Sequence, residues 1–336
     1  MTQVPLPSYV PLAEVIRSGM RESVHYGAVV GLSADGTISY ARGPVHDAMF
    51  PRSSAKPFQA LAMLRAGAPL KGTSLAIAAG SHGGEDFHAA EAESILSGAD
   101  LTADDLQCPT DIPGGPVARK AFLSAGRSPE RLLMNCSGKH AGMLATCAAQ
   151  GWSTADYLDP EHPLQVLVRE TIEDVCGERV AHTAVDGCGA PQLAVSLVGL
   201  AEGVRRMRQS PEGSPERTVI EAMSAHPEYV SGTDRIDTVL MTRLPGLVSK
   251  IGADGVLVLN APTGETVAVK IGDGDAETRS RVLVALTALQ ALGVDVAPVS
   301  EYLTTDVLGG GRPVGEVRAV EDSGLRTPPA AGPAVP

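Results

Sequence analysis

The stretch GVLVLNAPTGETVAVKIGDGD (255–275) constrains this 336-residue chain more than any other. Two arms rich in β-branched residues flank a Pro-Thr-Gly bend, the pattern of an antiparallel hairpin. Upstream, GAVVGLSADGTISYARG (27–43) repeats the pattern with Asp35-Gly36 at the bend. A chain with two local hairpins and irregularly spaced helical segments between them cannot form a regular doubly wound sheet. The expected fold class is α/β of the α+β type: a mixed, largely antiparallel sheet flanked by helices.

The helical segments are marked by spacing and by punctuation. From Ser53 to Ala66, residues Ala60, Leu61, Met63 and Leu64 form an apolar face, and Pro57 fits the first turn, where its missing N–H costs nothing. NCSGKHAGMLATCAAQG (135–151) reads as a small-residue helix capped by Asn135 or Ser137 and ended by Gly151. SLAIAAGSHGGED (74–86) is an apolar run broken by a glycine-rich turn. RVAHTAVDGCGAPQLAVSLVGLAEG (179–203) reads as a strand, an exposed turn and an apolar helix, and Asp275 caps the helix that follows the second hairpin.

Length predicts one catalytic domain over 1–325, or two tightly packed subdomains. The tail RTPPAAGPAVP (326–336) has no periodicity and is expected to be disordered. Only 3% of residues are aromatic, so Ala, Val and Leu must fill the core. The net charge of −12 argues against nucleic acid or an anionic membrane as partner. No run approaches the ~20 apolar residues of a membrane span, and no secretory signal opens the chain, so a cytoplasmic location is expected. Five irregularly spaced cysteines fit a reducing compartment rather than a disulfide framework.

Chemistry concentrates at a few places. Ser53 and Lys56 in RSSAKPF stand three apart on one helix face, where a neutral lysine amine could serve as base to the hydroxyl; alone, the spacing fits a helix cap as well. Ser81 lies in GSHGG and Lys270 in VAVKIGDG, where plain strand alternation would turn Val267, Val269 and Ile271 to the opposite face. The order S-x-x-K, S-x-G, K-x-G parallels the S-x-x-K, S-x-N, K-T-G order of serine acyl-transfer enzymes, with Gly83 for the asparagine and Ile271 for the threonine. Acyl transfer on an amide other than a β-lactam follows from that departure.

A second constellation is cysteine-based. Cys136 and Cys188 occupy glycine-flanked turns at helix starts, beside Lys139, His140 and Asp186. Thiolates there would suit zinc, with His140 the ordinary further ligand and Lys139 one only if neutral. The alternative is a pair of buried small residues. Cys108, Cys147 and Cys176 read as core, GGGRPVG (309–315) lacks the strand–turn–helix context of a nucleotide loop, and GDGD (272–275) lacks calcium-loop spacing.

FPRSSAKPFQAL, SHGGEDFH, NCSGKHAGMLATC, VDGCGAPQLAVSL and VAVKIGDGD together resemble the thermolabile, Rhizobium etli-type (class 3) L-asparaginases, in order from about Arg21 to about Gly293. The resemblance implies a fold like that of serine β-lactamases and glutaminases, a homodimer, and two Ser–Lys tandems, Ser53 with Lys56 and Ser81 with Lys270. It also implies Zn2+ on Cys136, Cys188 and Lys139. On this reading the protein hydrolyses L-asparagine to L-aspartate and ammonia. Ser53 is the nucleophile and Lys56 its base, while Arg52, His140 and Asp186 help bind substrate. The competing readings are a glutaminase or β-lactamase-like amidohydrolase, or a non-catalytic zinc protein whose serines only cap helices.

Overall fold

The computed structural model describes residues 6–320; the tail expected over 326–336 lies outside them. Its strands are β1 (Val10–Arg17), β2 (Met20–Leu32), β3 (Ile38–Arg42), β4 (Ala48–Met49), β5 (His182–Val185), β6 (Pro191–Ser196), β7 (Val248–Ile251), β8 (Val256–Asn260), β9 (Thr266–Ile271), β10 (Thr305–Gly309) and β11 (Arg312–Ala319). Eight of them form one sheet in the order β10-β11-β1-β2-β9-β8-β7, with β3 joined to β2. Every pairing in it is antiparallel. β4, β6 and β5 make a small second sheet. The expected fold class is the one observed, and both hairpins fall where the turn residues placed them.

Both faces of the large sheet's centre are covered, so β8, most of β9 and the second half of β2 are largely apolar. Ala28, Val30, Val256, Val258 and Ala268 face the larger core, which includes the helices Lys56–Arg65, Ser137–Gln150, Pro163–Cys176 and Leu197–Gln209. Val29, Leu257, Val267, Val269 and Ile271 face the other core, under the helix Arg281–Ala291. Each such aliphatic side chain contributes about 1.5–3 kcal/mol by leaving water. With few aromatics available, close approach replaces bulk. A Cβ on Gly138 would lie 2.6 Å from Ile77 Cγ1, so only glycine lets these helices pack as they do.

Local readings mostly hold at their centres and shift at their ends. Ser53 lies in a 3-10 turn (Arg52–Ala55), and the α-helix begins at Lys56. Gly151 ends the helix Ser137–Gln150 in the left-handed conformation, but Cys136, not Asn135 or Ser137, is its N-cap residue, without a side-chain cap. The apolar run after Thr73 is the short helix Thr73–Ala78. Pro191–Ser196, read as the start of a helix, is strand β6, because its backbone pairs with β4 and β5; the helix starts at Leu197. The helix after the second hairpin begins at Arg281 with Ser280, not Asp275, as its N-cap residue, but the Asp275 carboxylate accepts from the backbone N–H groups of Ser280 and Arg281. No described helix is long and apolar enough to cross a membrane.

Candidate active site

The site is built where the sheet's β7 edge meets the first helices. The Ser54 hydroxyl donates to the Lys250 carbonyl at 2.8 Å, tying the Arg52–Ala55 turn to β7. Gly252 allows that contact, since a Cβ there would sit 2.6 Å from the Pro51 carbonyl oxygen. Ser81 follows the helix Thr73–Ala78 in an irregular segment fixed by its backbone: Ser81 N donates to Val230 O at 2.7 Å and His82 N to Asn135 O at 3.1 Å. Burial pushes the His82 imidazole well below its usual range, so it is neutral and scaffolds this segment through Ser137.

Two lysines converge on the Ser81 hydroxyl. Lys56 Nζ donates to it at 2.9 Å and also to the Gly80 carbonyl at 2.6 Å. Lys250 Nζ lies 3.1 Å from the same oxygen and 2.8 Å from the Ile251 carbonyl. Lys250 is wholly buried, and desolvation brings its pKa down to about 7. Asp237, 3.9 Å away, opposes that shift, while the charges of Lys56 and Arg235 reinforce it. An amine that is half neutral near pH 7 and touches a serine hydroxyl can take its proton.

Arg52 links this centre to the cysteine turns. Its backbone is left-handed (φ 52°), a conformation that costs a non-glycine residue about 1–3 kcal/mol and is held by its contacts. Its Nε donates to Asp186 Oδ1 at 2.9 Å and its Nη1 to the Asp254 carboxylate. Burial tends to raise the Asp186 pKa, but Lys139, the Gly187 N–H and Arg52 outweigh it and keep the carboxylate ionised. Behind Asp186, Lys139 Nζ donates to Cys188 Sγ at 3.1 Å. The hydrogen bond from Cys188, with the charges of Lys56 and Lys139, holds Cys136 well below the usual thiol range; the same bond and burial raise Cys188. His140, beside them, is pushed by burial to about 4; its Nδ1 meets Tyr157 Oη at 2.7 Å, and its buried Nε2 has no hydrogen-bond partner.

The structure therefore gathers Lys56 with Ser81, and Arg52 with Asp186, and Cys136, Lys139, His140 and Cys188 with one another. It does not bring Lys270 to Ser81. Lys250 pairs with Val258 and Val258 with Ala268, so Lys270 lies two strands across and two residues along, roughly 12 Å away between α-carbons. Its amine donates to the Asp254 carbonyl instead and lines a cleft of about 320 Å³ with Tyr9, Asp47 and Met49. Lys56 turns its amine to Ser81, while Ser53 stays half-buried. Sequence reasoning missed Lys250. The available signal was that Lys-Ile-Gly occurs twice, at 250–252 and 270–272. Cys108, Cys147 and Cys176 are buried, as expected of core thiols, and burial raises the pKa of each.

A serine hydroxyl held between two buried amines is the equipment of an amide-cleaving hydrolase. The chain belongs to the L-asparaginase II family, whose model matches residues 13–319. No curated protein matches it. Among solved structures, Mglu in its native form is 13% identical over 81% of this chain, with a TM-score of 0.45. This chain spans 65% of the Mglu chain. A β-lactamase (Mb2281c) from Mycobacterium bovis is 11% identical over 80% of this chain and 95% of its own, with a TM-score of 0.43.

Proposed function

We propose that the protein is an L-asparagine amidohydrolase that releases L-aspartate and ammonia through a serine acyl-enzyme. The observation that carries the reading is the Ser81 hydroxyl between Lys56 and Lys250. Neutral Lys250 takes the hydroxyl proton as Ser81 Oγ attacks the side-chain amide carbon. The Lys56 amine, turned inward by the Gly80 carbonyl, stabilises the developing negative charge. The proton then passes from Lys250 to the leaving ammonia, and the same amine activates the water that frees aspartate.

Arg52 and Asp186 form a charge pair suited to an amino acid head group, the guanidinium for the carboxylate and Asp186 for the ammonium. A second reading keeps Ser53 as nucleophile with Lys56 as base. It is favoured by the half-buried, more accessible position of Ser53 one turn before Lys56.

Zinc belongs to this reading too. Among the described residues no three His, Cys, Asp or Glu side chains form a metal-binding group, so a lysine ligand would be needed to complete one. Cys136, Cys188 and Lys139 would hold zinc only once the metal displaced the Lys139 proton, which Cys188 and Cys136 keep in place against burial; the unpartnered His140 Nε2 beside them is an orphaned buried polar atom of the kind a metal site leaves. Zinc there would clamp the two cysteine turns and so fix Asp186.

The test is trapping with L-asparagine followed by peptide mass spectrometry. Aspartyl mass on the Ser81 peptide supports the assignment; on the Ser53 peptide it selects the second reading. Release of ammonia from asparagine but not from glutamine, with no ring opening of nitrocefin, supports the substrate.

A further inference from the structure

The two carboxylates on Arg52 differ in kind. Asp186 is 12% exposed and locked into its turn, where Asp186 N donates to Ala190 O and Gly189 N to Asp186 O. Asp254 is 59% exposed, and Arg52 is the described partner of its side chain. Its backbone, however, is anchored: Lys270 donates to the Asp254 carbonyl, and Gly252 N donates to Val256 O at 2.8 Å across the same turn. The turn can stay fixed while the carboxylate rotates away.

We propose that the Asp254 carboxylate is a built-in stand-in for the substrate's α-carboxylate, closing on Arg52 in the free protein and displaced when substrate binds. The inference rests on the proposed reading of the site as one for an amino acid amide. Arg52 presents a forked donor that matches one carboxylate well. In the free protein Asp186 takes Nε and the exposed Asp254 takes Nη1, so one arm of the fork is held by an exposed aspartate, and an exposed ion pair is weak enough to yield to a ligand. Lys270, whose amine sits on the same turn and feels the Arg52 charge, supplies a second cation once Asp254 swings out. A neutral amide without an α-carboxylate cannot displace the clasp, so the contact selects for amino acid substrates.

Asp254→Asn tests this without disturbing the turn, since asparagine tolerates the left-handed backbone (φ 53°) that Asp254 adopts. With the clasp removed, phenylglyoxal should modify Arg52, mapped by peptide mass, several-fold faster than in the wild type. The KM for L-asparagine should fall about two- to five-fold with kcat little changed. Unchanged Arg52 labelling overturns the clasp whatever the substrate. A raised KM also overturns it, and would make Asp254 a ligand for the substrate ammonium instead. A protein that labels as expected but turns over no asparagine leaves the clasp standing and removes the asparaginase reading alone.

Discussion

Lys250 and Lys270 sit in the same tripeptide, on the same face of the same sheet, and live in opposite surroundings. β7 ends beneath the Arg52–Ala55 turn, so Lys250 is wholly enclosed and its pKa falls to about 7. β9 ends beside a cleft, so Lys270 is half-buried; burial and the Arg52 charge lower its pKa against the pull of Asp254. Local sequence decides that a lysine points off a strand to a given face. What covers that face decides whether the amine is a base or a surface cation.

The largest effect that would sharpen this contrast is on turnover. Lys250→Met should lower kcat/KM by about a thousand-fold or more, as loss of a general base does, with an unchanged circular dichroism spectrum. Full activity in that variant would return the base role to Lys56 or Lys270. Next comes pH. A base must be neutral, so kcat/KM should climb as pH rises through about 7, tracking the lowered pKa of Lys250.

Stability should carry the same signature. The unfolded chain holds the Lys250 proton up to about pH 10.4. The folded protein releases it from about 7. Between those values folding is favoured increasingly as pH rises, by up to about 1.4 kcal/mol per unit from this group, and below them the full cost of burying the ammonium applies. Urea unfolding of Lys250→Met should lack this slope; an identical slope would place the shift elsewhere. The smallest effect belongs to Lys270→Met, which should raise KM for asparagine by less than about tenfold and leave the kcat pH profile in place. A collapse in kcat there would reverse the comparison.

Much of this architecture was legible. β-Branched arms around Asp35-Gly36 and around Pro262-Thr263-Gly264 specify hairpins locally, and Gly151 specifies a helix end. Ser81, Lys56, Arg52, Asp186 and the cysteine turns were each visible as reactive residue types in glycine-rich or polar stretches. Their partners were not. That Lys56 meets Ser81, and that Lys250 rather than Lys270 joins them, depends on strand register and on a packing contact at Gly252. Neither leaves a mark within a window of ten residues. Pro191–Ser196 failed for the same reason: its apolar run suits a helix until β4 and β5 offer it a ladder.

The pairing of β1 with β11 bears on how the chain reaches this state. Ala13 lies opposite Ala319, and Val320 N donates to Leu12 O, so one edge of β1 is closed by residues made hundreds of positions later. During synthesis, that edge, with its apolar Leu12, Ala13 and Val15, has no mate and is open to pairing with other nascent chains. Closing a loop of that length also slows folding. Expression at low temperature or with a holdase chaperone should therefore raise soluble yield more than any substitution at the active site.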